Sequence, residues 1–95
     1  MATVVVSPTA RRNLERLIRT HALPASTVER FAASIEPLGT FPLIGAPLGG
    51  PWSAYRFILG PWRWMLIVYE HLEEQDVVGI VTVRDARASG AATGS

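Results

Sequence analysis

The stretch YRFILGPWRWMLIVYE, Tyr55 to Glu70, constrains this chain more than any other. β-Branched and aromatic residues on both sides of Gly60-Pro61 write two strands around a turn. A two-residue loop with Gly60 at the positive φ of a type II′ turn sets Ile58 opposite Arg63 and Arg56 opposite Met65. Arg56 and Arg63 then share one face of an otherwise hydrophobic hairpin. Two readings stand for that face. Paired guanidiniums suit phosphate and carboxylate, which makes an anion or acidic-partner surface. Equally, solvated strand charges keep an exposed sheet face soluble.

The flanking segments supply the rest of the fold. Thr3 to Val6 is a short β-branched run that meets Ser7-Pro8, a favoured N-cap followed by a favoured first helical residue. A helix therefore starts at Pro8. Ala10, Leu14, Leu17 and Ile18 repeat at helical spacing, with Arg11, Arg12, Glu15, Arg16 and Arg19 on the other faces. It stops near His21, because the residue before Pro24 is pushed out of the helical region. Ser26-Thr27-Val28-Glu29 matches a capping box and opens a second helix with Val28, Phe31, Ala32 and Ile35 as its apolar stripe, closed by Pro37 and Gly39. The segment from Leu38 to Pro51, rich in proline and glycine among apolar residues, reads as an ordered loop packed on the core.

The C-terminal half is a meander of about 53–59, 62–70 and 77–84, whose middle strand is apolar at nearly every position and should be central. The order β-α-α-β-β-β implies an α+β fold in which a helical hairpin covers one face of an antiparallel sheet, leaving the opposite face for function. One domain over residues 1–88 is expected, followed by a disordered tail at 89–95, since ASGAATGS has no hydrophobic residue larger than Ala.

Composition removes several classes of function. The chain has 95 residues, room for one small core and no separate catalytic domain. With no cysteine, disulfides, thiolate chemistry and Cys-based zinc sites are excluded. The start MATVVV lacks the basic and long apolar regions of a secretory signal, and no run is long enough to span a membrane. A soluble cytoplasmic protein with no cofactor and no small-molecule substrate is the expectation. All nine cationic side chains are Arg, yet the net charge is only +1, so any polyanion binding must come from a local patch.

These parts together resemble the RelE/ParE superfamily of toxins from type II toxin-antitoxin systems. The resemblance runs from about Thr3 to Ala88. It is carried by VVVSPTARRNLERL, a strand running straight into a basic amphipathic helix; by AYRFILGPWRWMLIVYE, with a Gly-containing turn and an aromatic-Arg pair leading the central strand; and by VGIVTVRDARAS, the last strand and basic terminus. It implies a growth-inhibiting toxin, a cognate antitoxin as partner, and one of two targets. Members similar to RelE cut mRNA on the ribosome; members similar to ParE bind DNA gyrase and block it.

By position, Arg56 and Arg63 match basic residues of the nuclease type, and Arg84 or Arg87 its C-terminal cation. Arg56, Arg63, Arg84 and Arg87 are thus the residues implied for target contact, with Arg56, Arg63 and Arg87 the set a nuclease would use. Two departures favour the ParE-like mode: Ile58 stands where a lysine is expected, and no Tyr or His follows Arg87. A third reading is a non-toxic member that only binds a partner. Elsewhere, Ser7 and Ser26 read as helix caps. Asp85 reads as a strand-end partner of Arg84, and Trp52, Trp62 and Trp64 as core or partner-binding surface. His21 and His71 sit at a helix end and a turn. The acids around His71, namely Glu70, Glu73, Glu74 and Asp76, read as a solvated turn rather than a metal site.

Overall fold

A computed structural model describes residues 1–87. The expected tail at 89–95 lies outside the described residues. Five strands and two helices follow in chain order: β1 (Thr3–Val6), α1 (Pro8–Thr20), α2 (Thr27–Ile35), β2 (Ala46–Pro47), β3 (Arg56–Leu59), β4 (Met65–Leu72) and β5 (Val77–Asp85). They form one sheet in the order β1-β5-β4-β3-β2, with β1 parallel to β5 and every other pair antiparallel. The expected α+β layout holds and β4 is central. The short edge strand β2, within the loop of 38–51, is an addition to the sequence reading.

α1 is held along β5 by three side chains. Ser7 caps the helix by accepting from Ala10 N–H at 3.0 Å and also donates to Val81 O at 3.0 Å. Asn13 Oδ1 accepts from the Thr82 hydroxyl at 2.6 Å and from Val83 N–H at 3.2 Å. His21 reaches Asp85 from the helix C-terminus. The helix ends at His21 as expected, through a left-handed Ala22 (φ 50°) whose neighbour Leu23 donates its N–H to Ile18 O at 2.9 Å. That is a Schellman closure, with Leu23 and Ile18 both packed against the core.

α2 starts at its expected place without the expected capping box. Ser26 already has helical dihedrals (φ −68°, ψ −6°), which turns its hydroxyl away from the first-turn N–H groups, and it makes no side-chain capping bond. Only Phe31 and Ile35 of the proposed stripe are buried, while Val28 and Ala32 face outward.

The β3–β4 hairpin differs from the two-residue reading. Ile58 pairs with Ile67 rather than Arg63, a displacement of four residues, and Arg56 pairs with Tyr69. The connection is Gly60–Trp64, closed by Gly60 N–H to Met65 O and Met65 N–H to Trp62 O, both 2.9 Å. This register sets two isoleucines against each other at the core and lets Trp62 and Trp64 pack on it from the turn. A two-residue loop would have set an arginine opposite Ile58. Arg63 consequently sits in the turn, not on a strand, and shares no face with Arg56.

Cross-strand partners share a face. Met65, Ile67 and Tyr69 of β4 meet Val78, Ile80 and Val83 of β5, all buried beneath Ala10, Leu14, Phe31, Ile35 and Leu38. A bulge at Val81 changes the parity of β5, so that even-numbered Val78 and Ile80 and odd-numbered Val83 all face the helices. The other face carries Val5, Phe57, Leu59, Leu66, Val68 and Arg84, and among the described residues no helix lies over it.

Candidate functional site: a cationic and aromatic end of the sheet

The turn Gly60–Trp64 and the end of β5 lie together, joined by Ala86 N–H to Trp64 O at 2.6 Å. This gathers Arg63, Arg84 and Arg87 at one end of the sheet. Arg63 is exposed in the turn, and Arg84 is exposed on the open face opposite Leu66. Neither makes a hydrogen bond or ion pair with another described residue. Arg30 adds a fourth cation over the Trp62 ring, 5.4 Å from its centroid.

Arg87 is differently placed. Its guanidinium lies 4.4 Å from the Trp64 ring centroid and forks onto Asp85, Nε to Oδ1 at 3.2 Å and NH2 to Oδ2 at 3.3 Å. Asp85 also accepts from Arg87 backbone N–H at 2.8 Å. The Arg87 side-chain bond holds the Asp85 carboxyl below the usual carboxylate range against the opposing effect of partial burial, helped by the Arg87 N–H and by the Arg87 and His21 charges. The expected Asp85–Arg84 pair is not formed, because successive strand residues point to opposite faces: Arg84 takes the open face and Asp85 the helix side.

His21 completes the cluster. Its ring stacks on Trp64 (4.6 Å, 25°), its Nε2 lies 3.1 Å from Asp85 Oδ2, and its Nδ1 lies 3.2 Å from Leu17 O. Both ring nitrogens therefore face oxygen acceptors, and only the doubly protonated ring donates to both. No local signal in the sequence announces this pair, since His21 and Asp85 stand 64 residues apart.

Arg56 is away from this end. It follows Tyr69 onto the helix side of the sheet, half-buried, and NH1 donates to Gly45 O at 2.8 Å and Leu43 O at 3.3 Å. The open-face placement expected from the hairpin is thus replaced by a clasp on the loop before β2. Tyr69 is part of the same clasp, its buried hydroxyl accepting from Gly45 N–H at 2.9 Å. A tyrosine directly after the apolar run Met65–Val68 of the central strand is the sequence signal for this polar contact.

His71 lies on the helix side of β4 with both ring nitrogens buried and, among the described residues, without hydrogen-bond partners; its Nε2 is 3.7 Å from Asp76 Oδ1. Among the described residues, no three His, Cys, Asp or Glu side chains come together as metal ligands. Trp62 and Trp64 pack on the core, whereas Trp52 is exposed and tilted against Tyr55 at 5.7 Å. Among the described residues, no helix is long and apolar enough to cross a membrane.

The fold is shared with several solved structures. The toxin-antitoxin complex RelBE2 from Mycobacterium tuberculosis contains a chain 27% identical, with a TM-score of 0.64 over 88% of this chain and 96% of that one. The isolated RelE toxin of E. coli is 17% identical, with a TM-score of 0.68 over 99% and 94% of the two chains. The protein HP0892 of Helicobacter pylori is 19% identical, with a TM-score of 0.61 over 90% and 94%. No curated protein matches the sequence at a significant level. The family described as the ParE toxin of the type II toxin-antitoxin system, parDE, matches residues 4–89. With that match over nearly its whole length, the chain belongs to the ParE toxins and is a type II toxin of the RelE/ParE superfamily.

Proposed function

We propose that the protein arrests growth by binding DNA gyrase in the cytoplasm without cutting nucleic acid, and that a cognate antitoxin neutralises it. The observation carrying this reading is the state of the groups at the cationic end. Cleavage of RNA by its own 2′-hydroxyl needs a proton acceptor, a donor to the leaving oxygen and charge stabilisation at the phosphate. Arginine supplies the third but, with a pKa above about 12, is a poor base. His21 is the one imidazole nearby, and both of its nitrogens face acceptors. Residues 88–95 add no Tyr, His, Asp or Glu. The end of the sheet is therefore equipped to grip rather than to move protons. Arg63 and Arg84 lead the contact, with Arg87 ordered by Trp64 and Asp85 behind them.

An antitoxin suits the exposed hydrophobic residues Val5, Leu59 and Leu72 around the sheet. The relative in M. tuberculosis was solved as a toxin-antitoxin complex, in keeping with this reading.

Purified protein is expected to inhibit supercoiling by gyrase and to leave ribosome-bound mRNA intact. The double variant Arg63→Ala/Arg84→Ala should lose the inhibition with an unchanged melting temperature, since exposed substitutions cost within about 0.5 kcal/mol. Codon-positioned mRNA cuts that vanish in His21→Ala or Arg87→Ala would overturn the choice in favour of a RelE-like endonuclease. Absence of both activities would leave a partner-binding member without toxicity.

A further inference from the structure

Three large hydrophobic side chains stand in solvent on one short loop: Phe41 is 59%, Leu43 56% and Ile44 62% exposed. The loop is held in place from below. Tyr69 takes Gly45 N–H, Arg56 takes Gly45 O and Leu43 O, and Phe41 N–H and Ile44 N–H bond to Pro37 O and Phe41 O at 2.8 and 3.1 Å. A fixed apolar knuckle exposes hydrophobic area with little conformational freedom left to lose on binding, the condition that favours a docking surface.

The occupant is constrained by the neighbouring backbone. Leu48 N–H bonds to Tyr55 O, so by the alternation of an antiparallel ladder Ala46 faces β3 and Pro47 faces outward, while Gly45, just before the strand, turns back over the sheet. Pro47 has no N–H, and the N–H and C=O of Gly45 are already taken by Tyr69 and Arg56. Neither Gly45 nor Pro47 has a free N–H to offer, so an added strand finds no ladder there. A partner must dock through side chains. A second copy related by a two-fold axis through the knuckle would bring two Arg56 cations together. A chain with a carboxylate meets the opposite situation: only NH1 of Arg56 is used within the described residues, which leaves other N–H groups of its fork for an acid beside the apolar patch.

We propose that Phe41, Leu43, Ile44 and Arg56 form the docking site for an acidic amphipathic helix, supplied by the antitoxin. The helix lays an apolar stripe on the knuckle and a carboxylate on Arg56. This rests on the toxin-antitoxin reading for the source of the helix, and its geometry on the closed β2 edge.

The test measures binding of the protein encoded beside this chain, by calorimetry, to wild type, Leu43→Asp, Ile44→Asp and Arg56→Gln, each checked for melting temperature. The two Asp variants should weaken binding at least tenfold. Arg56→Gln should flatten the salt dependence of binding, which a role confined to holding the loop would not do. In the wild-type complex, hydrogen exchange should slow at residues 40–47, and helical circular dichroism should exceed the sum of the free chains. A wild-type chain that binds no such protein overturns both this proposal and the toxin-antitoxin partnership. Tight binding unaffected by the variants, or a gain of strand in place of helix, overturns the knuckle site alone and leaves the partnership standing.

Discussion

Replacing Gly45 by alanine probes the joint between the central strand and the exposed loop. Gly45 is buried, and an added Cβ would lie 2.6 Å from Phe57 O, 2.7 Å from the Tyr69 hydroxyl oxygen and 2.8 Å from Tyr69 Cε1. Two of these neighbours belong to a ring packed in the core and the third to the backbone of β3, so none can step aside cheaply. Overpacking of this kind costs about 1–3 kcal/mol. Displacing Tyr69 also leaves the Gly45 N–H without its acceptor, a further penalty of about 1–3 kcal/mol. The sum, about 2–6 kcal/mol, is a large part of the roughly 5–14 kcal/mol expected for a domain of this size. At about 4 °C or more per kcal/mol, the melting temperature should fall by at least about 8 °C. Urea unfolding followed by tryptophan fluorescence gives the free energy directly. Tyr69→Phe alone should destabilise, because it orphans the same N–H. The double variant should cost about 1 kcal/mol less than the sum of the singles, since the hydrogen bond is lost only once. A Gly45→Ala protein within about 0.5 kcal/mol of wild type would refute the close-approach argument.

The lowered Asp85 pKa implies a stabilising contribution that is complete above its ordinary value of 3.8 and is lost as pH falls below it. Acid titration of stability should accordingly show a shallower decline below pH 3.8 in Asp85→Asn than in wild type. The two helix-start serines should behave differently: Ser7→Ala loses a cap and a tie to Val81 and should cost about 1–2 kcal/mol, while Ser26→Ala should stay within about 0.5 kcal/mol, as read by urea midpoints. Asn13→Ala removes the shared acceptor of Thr82 and Val83, leaving a buried N–H unpaired. It should cost about 1–3 kcal/mol, with faster amide exchange at Val83 as the local readout.

Local rules carried the sequence far where the deciding interactions were local. Ser7-Pro8, the helical spacing of Ala10, Leu14 and Leu17, and the apolar run of β4 each specify their element through contacts within a few residues. With the element order, they yielded the α+β layout, the central strand and the family resemblance before any geometry was known. The β3–β4 register was different. Gly60-Pro61 marks a turn, but the loop length follows from seating Ile58 against Ile67 and from packing Trp62 and Trp64 on the core, contacts that a local turn rule does not contain. The capping box at Ser26 failed for a related reason, because the chain enters α2 already in helical conformation.

The fate of the four arginines shows the same division. Their number, the lack of lysine and their positions in the chain were written in the sequence, and Arg63 and Arg84 do stand exposed at one end of the sheet. Whether a guanidinium is open to a target depends on which oxygens lie within about 3 Å, and those come from segments distant in sequence. The loop before β2 claims Arg56, and the far end of β5 brings Asp85 to both Arg87 and His21. The sequence by itself determined both helices, the strands other than β2 and the charge inventory, because propensity, capping and periodicity act between near neighbours. The tertiary structure alone decided which cations remain open, which imidazole is tied down and which hydrophobic loop is held in solvent, because each outcome depends on partners that folding brings together.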